Sequence, residues 1–222
     1  MDTLENPLPI VVPINIPGIW AVEVYTDISG HILDSPSVGI YIPAQTIGKP
    51  LAASIAFPRK FLTGEDSLGK SVSCKTTALE ALGILTALCL DPFRFAGREV
   101  RFWNDNVSTV IAYGKGYSRD PWTTCLVRAA RVVAAGIGAS LFVSWEARRS
   151  SHGSVIADNL THNILEGLST QEVQDFLNLS TVSFPDPILE WMGSPGPDRS
   201  LGANIVIWIF EQFPALKLLF AS

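Results

Sequence analysis

Apolar and polar positions alternate from 20 to 26, and two further strand-like runs follow at 37–43 and 51–57, with Gly and Pro between them. Period-two patterning punctuated in this way predicts three consecutive strands in an antiparallel meander. Residues 74–90 carry apolar positions at helical spacing, with Ser73 as N-cap and Asp91-Pro92 as the stop. A fourth strand is predicted at 100–103, then a short helix at 107–113, a break at Gly114-Lys115-Gly116, and a longer helix at 121–135 ending at Gly136 and Gly138. A fifth strand at 140–145, a polar loop at 146–153 and a last helix at 155–168 complete the order β-β-β-α-β-α-α-β-α. Strands and helices alternating like this predict an α/β protein with a mixed five-stranded sheet.

The flanks differ in composition. Residues 1–19 contain Pro7, Pro9, Pro13 and Pro17 and read as an extended N-terminal arm. Residues 20–168 form the domain, and 169–222 a helical C-terminal extension. In the extension Ser169-Thr170-Gln171-Glu172 has the capping-box pattern that opens a helix. A loop rich in Pro, Gly and Ser follows at 184–200, then an apolar segment at 201–220. That segment includes Glu211, Gln212, Pro214 and Lys217, which argues for a packed tail or a protein-docking surface and against a membrane span.

The chain has 222 residues, 47% of them hydrophobic and 17% charged, enough to bury a full core. Its acidic first six residues and the proline-broken run behind them are unlike a secretory signal. Cys74, Cys89 and Cys125 are odd in number and lack CxxC spacing, which argues for reduced thiols in an intracellular setting, cytoplasmic or nuclear. Net charge is −5, but unevenly spread: residues 1–149 hold 14 Lys/Arg against 13 Asp/Glu, and residues 150–222 hold two against eight. Positive charge is therefore concentrated in the part expected to meet a phosphate backbone, a modest electrostatic footprint that salt would weaken.

Four carboxylates stand at the ends of these predicted elements. Asp27 closes the first strand before a turn, Glu80 interrupts an apolar helix, Asp105 closes the fourth strand, and Asp158 lies at the opening of the last helix. Singly, each has an ordinary structural reading: Asp27 as a turn former, Asp105-Asn106 as an N-cap, Glu80 on a solvated face, Asp158 as a first-turn acid favoured by the helix dipole. Together they supply hard oxygen ligands of the kind Mg²⁺ takes, and phosphodiester hydrolysis uses two such ions roughly 4 Å apart.

The motifs around them resemble those of the ribonuclease H family, most of all the ribonuclease H domains of retroelement reverse transcriptases. Tyr25-Thr26-Asp27-Ile28-Ser29-Gly30 resembles the family's "T-D-x-S" strand end, and Leu79-Glu80-Ala81-Leu82 its helical "E-x-x-A-L" segment. Asp105-Asn106 resembles its "D-N", and Ser151-His152-Gly153 through Ala157-Asp158-Asn159-Leu160 its closing "H-x-G … A-D-x-L". The resemblance covers residues 20–165. It implies a ribonuclease H-like fold and a metal-dependent endonuclease that cuts the RNA strand of RNA–DNA hybrids by a two-metal mechanism. It also implies two Mg²⁺ ions, with Mn²⁺ as a substitute, bridged by Asp27, with Glu80 and Asp105 on one and Asp158 on the other. His152 would assist product release, and Ser29, Ser73 and Asn106 would contact substrate. A reverse transcriptase domain or another protein would dock through residues 201–220.

Two alternatives stay open. The same acids serve DNA-cutting integrase- or resolvase-like nucleases, and the same fold serves as a non-catalytic adaptor docking through its apolar tail. Of the remaining polar residues, Arg148-Arg149 are candidate phosphate contacts whose simpler reading is as solvated loop cations, and His31 and His162 read as surface residues.

Overall fold

A computed structural model of the chain describes residues 21–29, 37–44, 49–56 and 76–179. Strands β1 (Val22–Ile28), β2 (Ser37–Ile42) and β3 (Leu51–Ala56) form the antiparallel meander. Helix α1 (Thr76–Leu90) and a single turn, α2 (Pro92–Phe95), lead to β4 (Glu99–Asn104). Helices α3 (Val107–Lys115) and α4 (Pro121–Gly136) lead to β5 (Ser140–Trp145), and α5 (His152–Thr161) and α6 (Thr170–Leu179) follow. The sheet order is β3-β2-β1-β4-β5, with β1, β4 and β5 parallel. This is the mixed five-stranded α/β architecture that the order of elements predicts.

Parallel neighbours need crossovers, and the helices supply them. The α1 segment carries the chain from β3 to β4, and α3 with α4 carries it from β4 to β5. Helix α1 is apolar all round and buried from Ala78 to Cys89, as suits a helix enclosed between the sheet and α4. Its Leu79, Leu82, Ile84, Leu85 and Leu88 join Val24, Phe102, Trp122 and Leu126 in the main core. Each such side chain contributes about 1.5–3 kcal/mol of apolar burial. The opposite face of the sheet carries a smaller core, where Tyr41 and Ala52 meet Ile156, Ala157 and Leu160 of α5 and Phe176 of α6. The Ser169–Glu172 capping box forms as the sequence suggests, and Glu172 also accepts a hydrogen bond from the Tyr41 hydroxyl at 3.0 Å, tying α6 to the sheet.

Several element boundaries differ from the sequence pattern: β1 is shifted by two residues, and α3 runs through Gly114 and Lys115, where a break is expected, to its C-cap at Gly116. Asp91-Pro92, expected as a stop, also starts a new turn: Asp91 caps it and Pro92 takes a first-turn position that needs no N–H. The last domain helix starts at His152, three residues before the apolar pattern, because Ser151 and Ser154 satisfy each other's backbone groups in a reciprocal cap. It ends at Thr161, followed by Asn163 in the left-handed region at φ 56°. Asp158 therefore sits in the second turn of α5 and not at its opening.

Two glycines set how close α5 comes to the sheet. Gly39 pairs with Asp27 across β1 and β2, and a Cβ there would lie 2.1 Å from the Ala157 carbonyl oxygen. At Gly153 a Cβ would lie 2.4 Å from the Tyr25 ring. Glycine in a strand interior marks such close backbone approach. Gly39→Ala is expected to force α5 off the sheet and destabilise the protein by about 1–3 kcal/mol, the usual range for overpacking. A urea-denaturation midpoint equal to that of the unsubstituted protein would contradict this packing.

Candidate active site

The β1–β4 register decides where the first and third acids meet. Tyr25 pairs with Trp103 on the parallel neighbour, and Asp27 and Asp105 each lie two residues further along strands running the same way. Both reach the carboxyl ends of the strands, at the point where β1 has an antiparallel neighbour on one side and a parallel one on the other. Open α/β sheets bind ligands at such a switch point. From the α1 layer Glu80 reaches the same place, and one carboxylate oxygen from each of Asp27, Glu80 and Asp105 lies within 4.8 Å of the others. Asp158 comes from α5 on the other face, within hydrogen-bonding reach of Asp27. Asp27, Asp105 and Asp158 line one cleft together with Tyr25, Trp103 and Glu146, and Glu80 is buried beside it, within reach of Asp27 and Asp105.

Like charges this close need opposite charges or protons. Asn104, 2% exposed, donates from Nδ2 to Glu80 Oε2 at 2.7 Å, while its Oδ1 accepts from the Asn106 N–H at 2.9 Å. Arg148 donates to Asp158 Oδ1 at 2.9 Å and to Asp27 Oδ2 at 3.4 Å, and its Nε is 3.9 Å from Asp105 Oδ2. Arg149 bonds the other Asp158 oxygen and, at 3.3 Å, Asn159 Oδ1. These cations come from a tight turn after β5, where Ser150 N–H bonds Ala147 O and Arg149 adopts φ 55°. Although their heads bind carboxylates, the two side chains remain 59% and 50% exposed.

The protonation pattern follows from this geometry. Burial pushes the Asp27 carboxyl up to about 7, helped by the hydrogen bond shared with Asp158 and opposed by Arg148. Burial also raises Glu80 well above the ordinary carboxylate range, with the Asp27 charge adding and the Asn104 bond opposing. Burial alone would raise Asp158 too, but its hydrogen bonds with Asp27, Arg148 and Arg149 outweigh it and hold the group below its usual value.

The other residues read from sequence lie differently. Asn106 spends its side chain capping α3, accepting from Thr109 N–H at 3.1 Å. Ser29 is buried, and its N–H bonds Ser37 O at 3.0 Å. Ser73 lies outside the described residues. His152 is the first residue of α5 and exposed, with its ring edge-on to Tyr41 at 6.4 Å, and it is not among the residues that line the cleft. Four residues that matter here are not placed beside the acids by the sequence. Asn104 continues the inward-facing series Val100, Phe102 and thus betrays itself as a polar residue in a core position. Gly39 lies in a strand that is buried along its whole length. Arg148 and Arg149, expected as solvated, precede the helix that carries Asp158.

Three clustered carboxylates at one switch point, with a fourth beside them, suit a divalent cation with hard oxygen preferences. Without metal, a pH dependence follows. Between the unfolded Asp27 value of 3.8 and the folded value of about 7, the folded protein holds a proton that the unfolded chain releases. Stability is therefore fullest below pH 3.8 and is lost as pH rises to about 7. Glu80 acts in the same sense, whereas Asp158 acts in the opposite sense only at lower pH. In EDTA the urea midpoint is expected to fall from pH 4 to pH 7, and to fall less in Asp27→Asn. A flat profile in the unsubstituted protein would sink this assignment.

No family model matches the chain, and no curated protein does. Among solved structures, the ribonuclease H1 of the halophilic archaeon Halobacterium salinarum NRC-1 is similar over 67% of this chain and 100% of its own, at 14% identity and a TM-score of 0.44.

Proposed function

We propose that the protein is a metal-dependent phosphodiester hydrolase of the ribonuclease H type, acting on the RNA strand of RNA–DNA hybrids. One observation carries the reading: Asp27, Glu80 and Asp105, drawn from two strand ends and a buried helix, bring carboxylate oxygens within 4.8 Å of one another. Burying charge at this density costs several kcal/mol per ion unless cations are near. A fold that concentrates it in an open cleft is built to take one.

Asp27, Glu80 and Asp105 would hold a divalent ion, Mg²⁺ or Mn²⁺, and Asp158 would face a second. Bound there, such ions supply an activated water and a counter-charge for the departing oxyanion. The chain's own residues do the positioning. Asn104 orients Glu80, the β1–β4 register aligns Asp27 with Asp105, and the close contact at Gly39 sets the height of Asp158. Arg148 and Arg149, half exposed at the cleft mouth, are placed to meet backbone phosphate, for which a guanidinium offers paired donors. A hybrid would be told from duplex DNA by its 2′-hydroxyls.

The motif resemblance favours a retroelement origin, with an associated reverse transcriptase. Residues 201–220, the segment read as its docking surface, lie outside the described residues. Among the described residues no helix is long and apolar enough to cross a membrane.

The test is a strand-labelled RNA–DNA hybrid incubated with Mg²⁺ or Mn²⁺, beside Asp27→Asn. Cutting confined to RNA is expected, falling in the variant by more than the roughly 10–100-fold that loss of an outer partner costs. Cutting of DNA alone would move the substrate to the integrase-like alternative. Absence of cutting by a metal-bound protein would leave the fold as an adaptor.

A further inference from the structure

Both oxygens of Asp158 are already taken by cations from the chain itself. Oδ1 accepts from Arg148 at 2.9 Å through Nη2 and 3.3 Å through Nε, and Oδ2 accepts from Arg149. Asp27, Glu80 and Asp105 form the only group of three or more potential ligands within reach of one ion among the described residues, and Asp158 is not in it. Arg148 leans across from Asp158 to touch Asp27 at 3.4 Å and approach Asp105 at 3.9 Å, but Glu80 is bonded by the neutral amide of Asn104. With all four carboxylates ionised, the state in which they bind a cation, the two guanidiniums leave two negative charges, which one divalent ion balances.

We infer that Arg148 and Arg149 are a built-in counter-cation in place of the second metal, so that the free protein binds one divalent ion, at Asp27, Glu80 and Asp105. The inference rests on the metal-centre reading above and adds a stoichiometry to it. A second ion reaches Asp158 only when the guanidiniums leave. Nothing in the core opposes their leaving, because both side chains are half exposed on a surface turn. Ion pairs whose cations are that exposed are readily displaced by salt and competing ions. The pair therefore sets an order of occupancy and does not lock the site.

The experiment is a Mn²⁺ titration of the purified full chain, followed by calorimetry and by the paramagnetic signal of free ion. One Mn²⁺ per chain is expected for the unsubstituted protein and two for Arg148→Ala/Arg149→Ala. Arg148→Lys/Arg149→Lys, which keeps both charges, is expected to stay near one. Asp158→Asn is also expected to stay at one, since it removes the second position altogether. Two equivalent ions in the unsubstituted protein would overturn the inference and leave the metal centre intact. So would a count of one in the alanine variant that retains its circular dichroism spectrum. No Mn²⁺ bound by any form would overturn the metal centre and this inference together.

Discussion

Crowding of carboxylates at the carboxyl ends of β1 and β4 is the constraint around which the rest of the structure is arranged. Asp27 and Glu80 are 7% and 3% exposed, so neither can rely on water for its charge. The fold answers in three ways. It leaves protons on the most buried members, brings a neutral amide to Glu80, and turns two arginines from the β5–α5 connection onto Asp158 and Asp27. Each answer comes from a different layer. The site is therefore coupled to the packing of the whole sheet, although it occupies only one edge of it.

That coupling has a definite route. Helix α1, buried along nearly all its length, fixes the height of Glu80 through apolar contacts and a hydrogen bond from the Tyr113 hydroxyl to Ala81 O at 3.2 Å. Helix α5 reaches the sheet from the opposite side and comes as close as it does because residues 39 and 153 have no side chain. Between the two helices, the strand register carries Asp27 and Asp105 to a common level. An apolar core on one face, a close glycine contact on the other and a parallel ladder between them thus deliver three independent pieces to one point. A site built this way is buried where Asp27 and Glu80 sit and exposed at the two arginines that cover it.

Much of the element order was legible without the structure because each element's local signals agreed. β5 has the expected bounds, Ser140–Trp145, and α4 exceeds its expected end by one residue, since Asp120, Pro121 and the glycines beyond mark both its ends. Where the reading missed, local polar chemistry had overridden the apolar period. The Ser151–Ser154 cap extends α5 backwards, and Asp91 with Pro92 both stops one helix and opens another turn. His152 was read as a loop residue next to the acids for the same reason. Once it begins a helix, its ring is carried round to Tyr41.

Sequence alone determined the class of fold and the order of the elements that carry the four acids, because periodicity and capping are properties of neighbouring residues. Tertiary structure decided which oxygens face one another and what balances them. Arg148 and Arg149 look like solvated cations in a polar loop, and only the turn that follows β5 directs them onto Asp158. Asn104 looks like the last residue of a strand until Glu80 arrives from a helix 24 residues earlier. Charge compensation acts through space and over a few ångströms. Its partners are set by which strands pair and which helices cover them, and no local pattern along the chain encodes that distance.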